Sequence, residues 1–173
     1  MKPIVPFFFL LVLVTGCNKD NDASVQFPDT CDNAPAYEAN AKRVTITSGV
    51  WGTVSSTEGN CMPTIFPARN DCRTCAVQRK VRVYEYTTLQ QAITSDPSKV
   101  FSDDFTTKLV AETESDAYGF YQLSLPPGKY TIVVVENGKL YANSWDGNNG
   151  INPFSYTGGR VNINLSMTYK AAF

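Results

Sequence analysis

The chain has 173 residues, 43% hydrophobic and 18% charged, enough for one ordinary core and short for two, so one folded domain is expected. Lys and Arg number 15 against 16 Asp and Glu, a formal net charge of −1, and no basic excess is available to neutralise phosphates, which argues against a nucleic-acid partner. The absence of histidine removes the most frequent general acid–base and the most frequent zinc ligand together.

Residues 1–16 read as a targeting segment. Lys2 supplies a minimal positive charge, residues 4–14 are apolar, and Val14-Thr15-Gly16-Cys17 resembles a lipobox, with small residues ahead of the cysteine that is cleaved and acylated. The apolar run is well under the ~20 residues that a spanning helix needs. Lipidation of Cys17, with each acyl chain contributing ~0.8 kcal/mol per buried CH₂, is therefore the expected anchor. Residues 17–42 show no periodicity and read as a flexible tether. Its first stretch, Asn18-Lys19-Asp20-Asn21-Asp22, resembles the surface-export signals of Bacteroidetes lipoproteins. The outer face of the outer membrane is the expected address, and the periplasmic face is the alternative.

The domain is expected over residues 43–173. From Val44, alternation of Val44, Ile46, Ser48, Val50, Gly52 and Val54 against Thr45, Thr47, Gly49, Trp51 and Thr53 predicts a strand, with Trp51 on the outward row. Residues 58–76, rich in Pro, Asn and Cys, read as a loop insertion. Residues 77–86 form the next expected strand, with Val81 and Val83 inward and Arg82, Tyr84 and Tyr86 on the other face. Residues 87–94 carry a capping threonine and helix-favouring Leu-Gln-Gln-Ala, predicting a short helix that Asp96-Pro97 ends. Residues 108–113 are a further strand.

Residues 112–143 carry the densest signals. Leu123 and Leu125 alternate with Gln122 and Ser124, Pro126-Pro127-Gly128 supplies turn chemistry, and a β-branched run from Tyr130 to Val135 stops at Asn137-Gly138. An Asn-Gly pair between apolar runs predicts a type I′ hairpin. Residues 144–153 are a Gly/Asn-rich loop. Finally Val161, Ile163, Leu165, Met167 and Tyr169 alternate without a break against polar neighbours over residues 160–170, predicting one strand. About seven strands with turn signals and no strong long helix predict an all-β, antiparallel β-sandwich with a disulfide-bearing loop insertion.

Two stretches also carry a family resemblance. Thr113-Glu114-Ser115-Asp116-Ala117-Tyr118-Gly119-Phe120-Tyr121, followed by Leu125-Pro126-Pro127-Gly128-Lys129-Tyr130, resembles the signature of carboxypeptidase regulatory-like domains, which are transthyretin-like (prealbumin-like) β-sandwiches. The resemblance runs from about residue 44 to the C-terminus. It includes Tyr141-Ala142-Asn143 and Ile151-Asn152-Pro153, which resemble segments of stand-alone Bacteroidetes lipoproteins. It implies an accessory folding or docking unit rather than a catalyst, and no catalytic domain is expected within these residues.

Apart from Cys17 the cysteines are Cys31, Cys61, Cys72 and Cys75, an even set in a chain expected outside the cytoplasm, so disulfides are expected. Three pairings are possible. Cys61–Cys72 closing the insertion with Cys31–Cys75 pinning the tether is favoured, because a Cys72–Cys75 bridge is short and typical of redox sites. A four-cysteine zinc site and a thioredoxin-like motif are the rivals, disfavoured by the spacing and by the lack of a βαβ context.

No metal or cofactor is expected. Glu112, Glu114 and Asp116 fall on one strand face near Asp103 and Asp104, and Asp146-Gly147-Asn148-Asn149-Gly150 has a calcium-loop flavour without the ligand spacing, so both read as solvated carboxylates. There is no Gly-x-Ser-x-Gly elbow. The expected function is a non-enzymatic binding or structural module held to the membrane by lipid, with a protein or glycan partner. The alternative is carbohydrate binding through exposed Trp51, Trp145 and loop tyrosines.

Overall fold

The computed structural model describes residues 30–31, 33–63 and 71–173; the leader, Cys17 and the first part of the expected tether lie outside the described residues. A helix, α1 (Asn33–Ala41), precedes β1 (Gly49–Asn60), β2 (Arg73–Ala76) and β3 (Lys80–Glu85). Four short strands follow a 3₁₀ turn at Leu89–Gln91: β4 (Ala92–Ile93), β5 (Phe101–Ser102), β6 (Asp104–Phe105) and the longer β7 (Leu109–Glu114). The signal-dense stretch gives β8 (Phe120–Leu123), β9 (Gly128–Glu136) and β10 (Lys139–Tyr141), and the chain closes with β11 (Pro153–Tyr156), β12 (Arg160–Asn162) and β13 (Leu165–Ala172).

Two sheets pack face to face as a β-sandwich. β1 is the axis of the first, with β8 and β2 antiparallel along one side and β12 and β13 parallel along the other. The second runs β5-β10-β9-β3-β7, with β11 added to the first half of β9. Every pairing in the second sheet is antiparallel, whereas the first is mixed, a feature that alternation alone does not encode. Val50, Val54, Leu123 and Met167 from one sheet meet Val81, Val83, Ile132 and Val134 from the other in the shared core.

Both outer faces are also covered. Val133 and Tyr84 point away from the shared core into a second cluster with Phe105, Leu140 and Ile151, supplied by the segments that cross that face. Tyr84 is therefore buried, against its expected outward role, with its ring edge-on to Phe105 at 5.0 Å. This two-sided burial explains why the Ile132–Val134 run is apolar throughout instead of alternating. On the first sheet the outer row of β1, Thr53, Ser55 and Thr57, is buried as well, and α1 packs against β1 and β2. Asn40 donates from Nδ2 to Thr53 Oγ1 and to the Tyr118 carbonyl, both at 2.9 Å, and its Oδ1 accepts from Arg43 Nη1.

That helix corrects the last part of the expected tether, since Asn33–Ala41 is helical and not flexible chain. Its hydrophobic content is too low to show as an apolar stripe, since it docks with two alanines and a buried asparagine. Further differences have local causes. The first strand starts at Gly49, not Val44, because the Gln122 side chain takes the backbone N–H groups of Thr45 and Ile46 at 3.0 and 3.3 Å. The two ends of the expected loop insertion are strand, β1 running on to Asn60 and β2 returning along Ser55–Glu58. The expected helix at 87–94 shrinks to the 3₁₀ turn, capped by Thr88 N–H donating to Gln91 Oε1 at 2.9 Å, after which Ala92 and Ile93 pair with β6.

The Asn137-Gly138 hairpin forms as expected, both residues at positive φ (52° and 79°) and Glu136 facing Lys139. Pro126-Pro127-Gly128 instead turns the chain from one sheet to the other. The final strand is split at Ile163–Asn164. There Gly52 leaves no room for anything but backbone, an added Cβ lying 1.9 Å from the Ile163 carbonyl oxygen. The Tyr121 hydroxyl donates to that carbonyl at 2.6 Å, and Asn164 Oδ1 replaces a ladder carbonyl by accepting Thr53 N–H at 2.9 Å.

Candidate functional site

The split between β12 and β13 faces a second interruption across the sandwich. Along β9 the neighbouring strand changes from β11, paired as far as Thr131, to β10, paired from Val134. Only the Asn152 carbonyl, accepting Ile132 N–H at 3.2 Å, fills the step. Between these two gaps a cleft of about 190 Å³ opens at the sandwich edge. Ile132, Val134 and Leu165 supply its apolar floor, and the rings of Tyr141 and Phe154 flank it. Asn143, Ser144, Asn152, Asn164 and Ser166 supply a polar rim, and among the described residues none in the lining is charged.

The rim is held by its own hydrogen bonds. Asn143 Nδ2 donates to the Ser166 carbonyl at 3.0 Å, tying the two sheets together at one end of the opening. Asn152, at φ 35°, accepts the Ser144 N–H and hydroxyl on Oδ1 at 2.8 and 2.9 Å. Tyr141 Oη accepts the backbone N–H of Thr168 at 2.9 Å, where β13 carries an extra residue relative to β1. Within the described residues, Asn152 Nδ2 and Asn143 Oδ1 have no intramolecular partner, so one donor and one acceptor remain for a visitor.

These residues were only obliquely visible in the sequence. Tyr141-Ala142-Asn143 and Ile151-Asn152-Pro153 entered through the family resemblance, while Asn164 and Ser166 sat on what looked like an ordinary outward row. The only local signal is the density of asparagine in elements that should disfavour it.

The tryptophans do not form one platform. Trp51 is half-buried on the outer row of β1, between Gln122 of β8 and Asn162 of β12. Trp145 is 40% exposed in the loop whose far end, Ile151, belongs to the cluster on the outer face of the other sheet.

The carboxylates are engaged internally. Glu112 bridges Lys80 at 3.0 Å and Arg82 at 2.6 Å, and the hydrogen bond from Arg82, then that from Lys80, holds its pKa below the ordinary value. Glu114 accepts from Gln78. Asp116 lies past the end of β7, pairing with Arg43 and accepting the N–H groups of Tyr118 and Phe120. Asp103 pairs with Lys139 at 2.9 Å. Among the described residues no group of three or more metal-ligating side chains comes together.

Asp146 organises its loop. Its Oδ1 accepts the N–H groups of Gly150 and Asn148 at 2.8 and 2.9 Å, and its Oδ2 accepts the Tyr86 hydroxyl at 2.9 Å with Lys129 Nζ 3.3 Å away. The backbone donation from Gly150, joined by those from Tyr86, Asn148 and Lys129, brings its pKa down to about 2. A carboxyl with a depressed folded pKa contributes above its ordinary pKa and loses that contribution as pH falls through the folded value. The amide protection of residues 147–150 is therefore expected to persist to about pH 2, which hydrogen exchange across an acid series will read.

The four cysteines pair as Cys31–Cys75 and Cys61–Cys72, the first tying the segment before α1 to β2 and the second closing the β1–β2 arm. Comparison with family models, with curated proteins and with solved structures found no match.

Proposed function

We propose that this chain is a lipid-anchored envelope lipoprotein whose β-sandwich is a non-catalytic binding module, a free-standing relative in form of carboxypeptidase regulatory-like domains. The observation that carries the binding role is the uncharged cleft between the two sheet interruptions, where side-chain amides and hydroxyls converge over an apolar floor. Against catalysis stand the internally engaged carboxylates and a cleft in which Tyr141 is the one ionisable group among the described residues, so among them neither an acid–base pair nor an activated nucleophile faces it. The anchor rests on the Val14-Thr15-Gly16-Cys17 lipobox, and the outer-membrane, outward-facing address on the acidic residues that follow it.

Metabolic labelling with an alkynyl fatty acid is expected to mark the wild-type chain and not Cys17→Ala, and protease added to intact cells is expected to remove it. An unlabelled wild-type chain recovered in the soluble fraction overturns the anchoring. A pull-down from solubilised outer membrane tests the binding role independently.

A further inference from the structure

We infer that the cleft is a subsite for one neutral sugar ring; this deepens the binding-module reading and rests on it. Size bounds the occupant first. About 190 Å³ is below the roughly 300–1,000 Å³ of pockets that enclose drug-sized ligands, so the cleft takes a single ring and leaves the rest of a larger molecule outside.

Charge bounds it next. With no charged side chain among the described residues of the lining, an ionic ligand would lose its water without gaining a counter-ion, so the visitor is uncharged. It is nonetheless polar, because the rim offers a donor at Asn152 Nδ2 and an acceptor at Asn143 Oδ1. Phe154 is half-buried, its ring tilted against Tyr130 at 5.6 Å, and offers an apolar surface within the same opening. An apolar ring surface beside amides and hydroxyls matches a pyranose, which carries C–H groups on one face and hydroxyls around its edge.

The same geometry argues against an added peptide strand. Strand addition needs unpaired backbone N–H and C=O groups along an edge, and at Ile163 and Asn152, where the two interruptions lie, these are taken. Ile163 N–H donates to the Trp51 carbonyl at 2.8 Å and its own carbonyl accepts Tyr121, while Asn152 N–H donates to the Ser144 carbonyl at 2.8 Å. What remains is side-chain recognition of a compact molecule.

The test is a titration of the full, isotope-labelled chain with glucose, galactose, mannose and N-acetylglucosamine, each also as its methyl glycoside, and with glucuronate and glucosamine as charged comparators. At least one neutral sugar is expected to shift the amide signals of Asn143, Asn152, Phe154 and Ser166, and the charged comparators are not. Asn152→Asp keeps the acceptor that holds Ser144 and tolerates the positive φ, but replaces the free donor, and is expected to weaken binding about tenfold at unchanged melting temperature. Ser166→Ala, on the outward row of β13, is the control and is expected to leave binding unchanged. Sugar-induced shifts centred on Trp51 or Trp145, wild-type binding by Asn152→Asp, or no response to any neutral sugar overturns the assignment. If sugars fail while the outer-membrane pull-down yields a protein that protects the cleft, the sugar class falls and the binding module stands.

Discussion

Arg79→Met is expected to destabilise the fold by about 3 kcal/mol at neutral pH, and the deficit is expected to shrink as pH falls. Glu136, at the end of β9, is 3% exposed and accepts from Arg79 Nε and, at 2.6 Å, from the Tyr169 hydroxyl. Burial by itself pushes this carboxyl up, but the hydrogen bonds from Arg79 and Tyr169 outweigh it and hold the pKa below the ordinary value. Burial and the bond to Glu136 push the Tyr169 hydroxyl up to about 12, so it stays a donor throughout the useful pH range. Removing one partner of a buried pair costs about 3–5 kcal/mol because the other charge is left without compensation, and the lower end applies here since Arg79 is about a third exposed.

The pH dependence separates this from a loss of packing. In the wild type the depressed pKa means that the stabilisation is complete above the ordinary glutamate value of about 4.3 and is lost as pH falls through the folded value. In the methionine variant burial acts with only Tyr169 opposing it, and the carboxyl moves above its ordinary value, so protonation relieves the buried charge. Urea unfolding at pH 7 and pH 4 checks this, with Glu136→Gln in the Arg79→Met background expected to restore part of the loss. A deficit equal at both pH values contradicts the ion-pair account.

The elements whose signals were local were legible. Asn137-Gly138 needs positive φ at two successive residues, and the Val81/Val83 row needs only a period of two. What was not legible depended on a second segment far along the chain. Nothing near Thr45 says that Gln122 will take its N–H. Nothing near Tyr84 says that Phe105 will cover it, and nothing in the unbroken alternation of residues 160–170 says that Tyr121 and Gly52 will open it at Ile163. The parallel pairing of β1 with β12 and β13 belongs with these, since a strand's own pattern is the same whichever way its neighbour runs.

The candidate site was less visible than the fold for a related reason. Its floor is core, and Ile132, Val134 and Leu165 read as nothing more. Its rim is built from asparagines whose sequence role is indistinguishable from turn chemistry until two separate strand interruptions are seen to face each other. The tryptophans drew attention because large aromatic rings are conspicuous in a sequence, yet layer assignment, not residue type, decides whether two rings share a patch.

The cysteine pairs set up the other large expected effect. Replacing Cys31 and Cys75 together by alanine removes a cross-link spanning 44 residues and is expected to cost about 4 kcal/mol on the loop-entropy scale. Replacing Cys61 and Cys72 removes one spanning 11 and is expected to cost about 3 kcal/mol. The totals are close, so the location of the loss is the sharper reading. A nine-residue helix does not hold alone in water, and α1 keeps its register through Asn40 and the Arg43–Asp116 pair at its C-terminal end and through the Cys31 cross-link just before its start. The Thr30 carbonyl, accepting Ala76 N–H at 2.5 Å, extends the same junction. Without Cys31–Cys75 the first turn has lost its tie, and the amides of α1 are expected to exchange far faster while those of β9 follow the global stability. Without Cys61–Cys72 the order reverses. α1 stays protected, and loosening is confined to the tip of the β1–β2 arm, where Asn60 N–H still finds Asp71 Oδ1 at 2.7 Å and Cys61 N–H the Ala172 carbonyl at 2.8 Å. Equal exchange at α1 in the two double variants would show that the helix is held by its packing on Thr53 and Tyr118 alone, and that the cross-link secures only the chain leading to it.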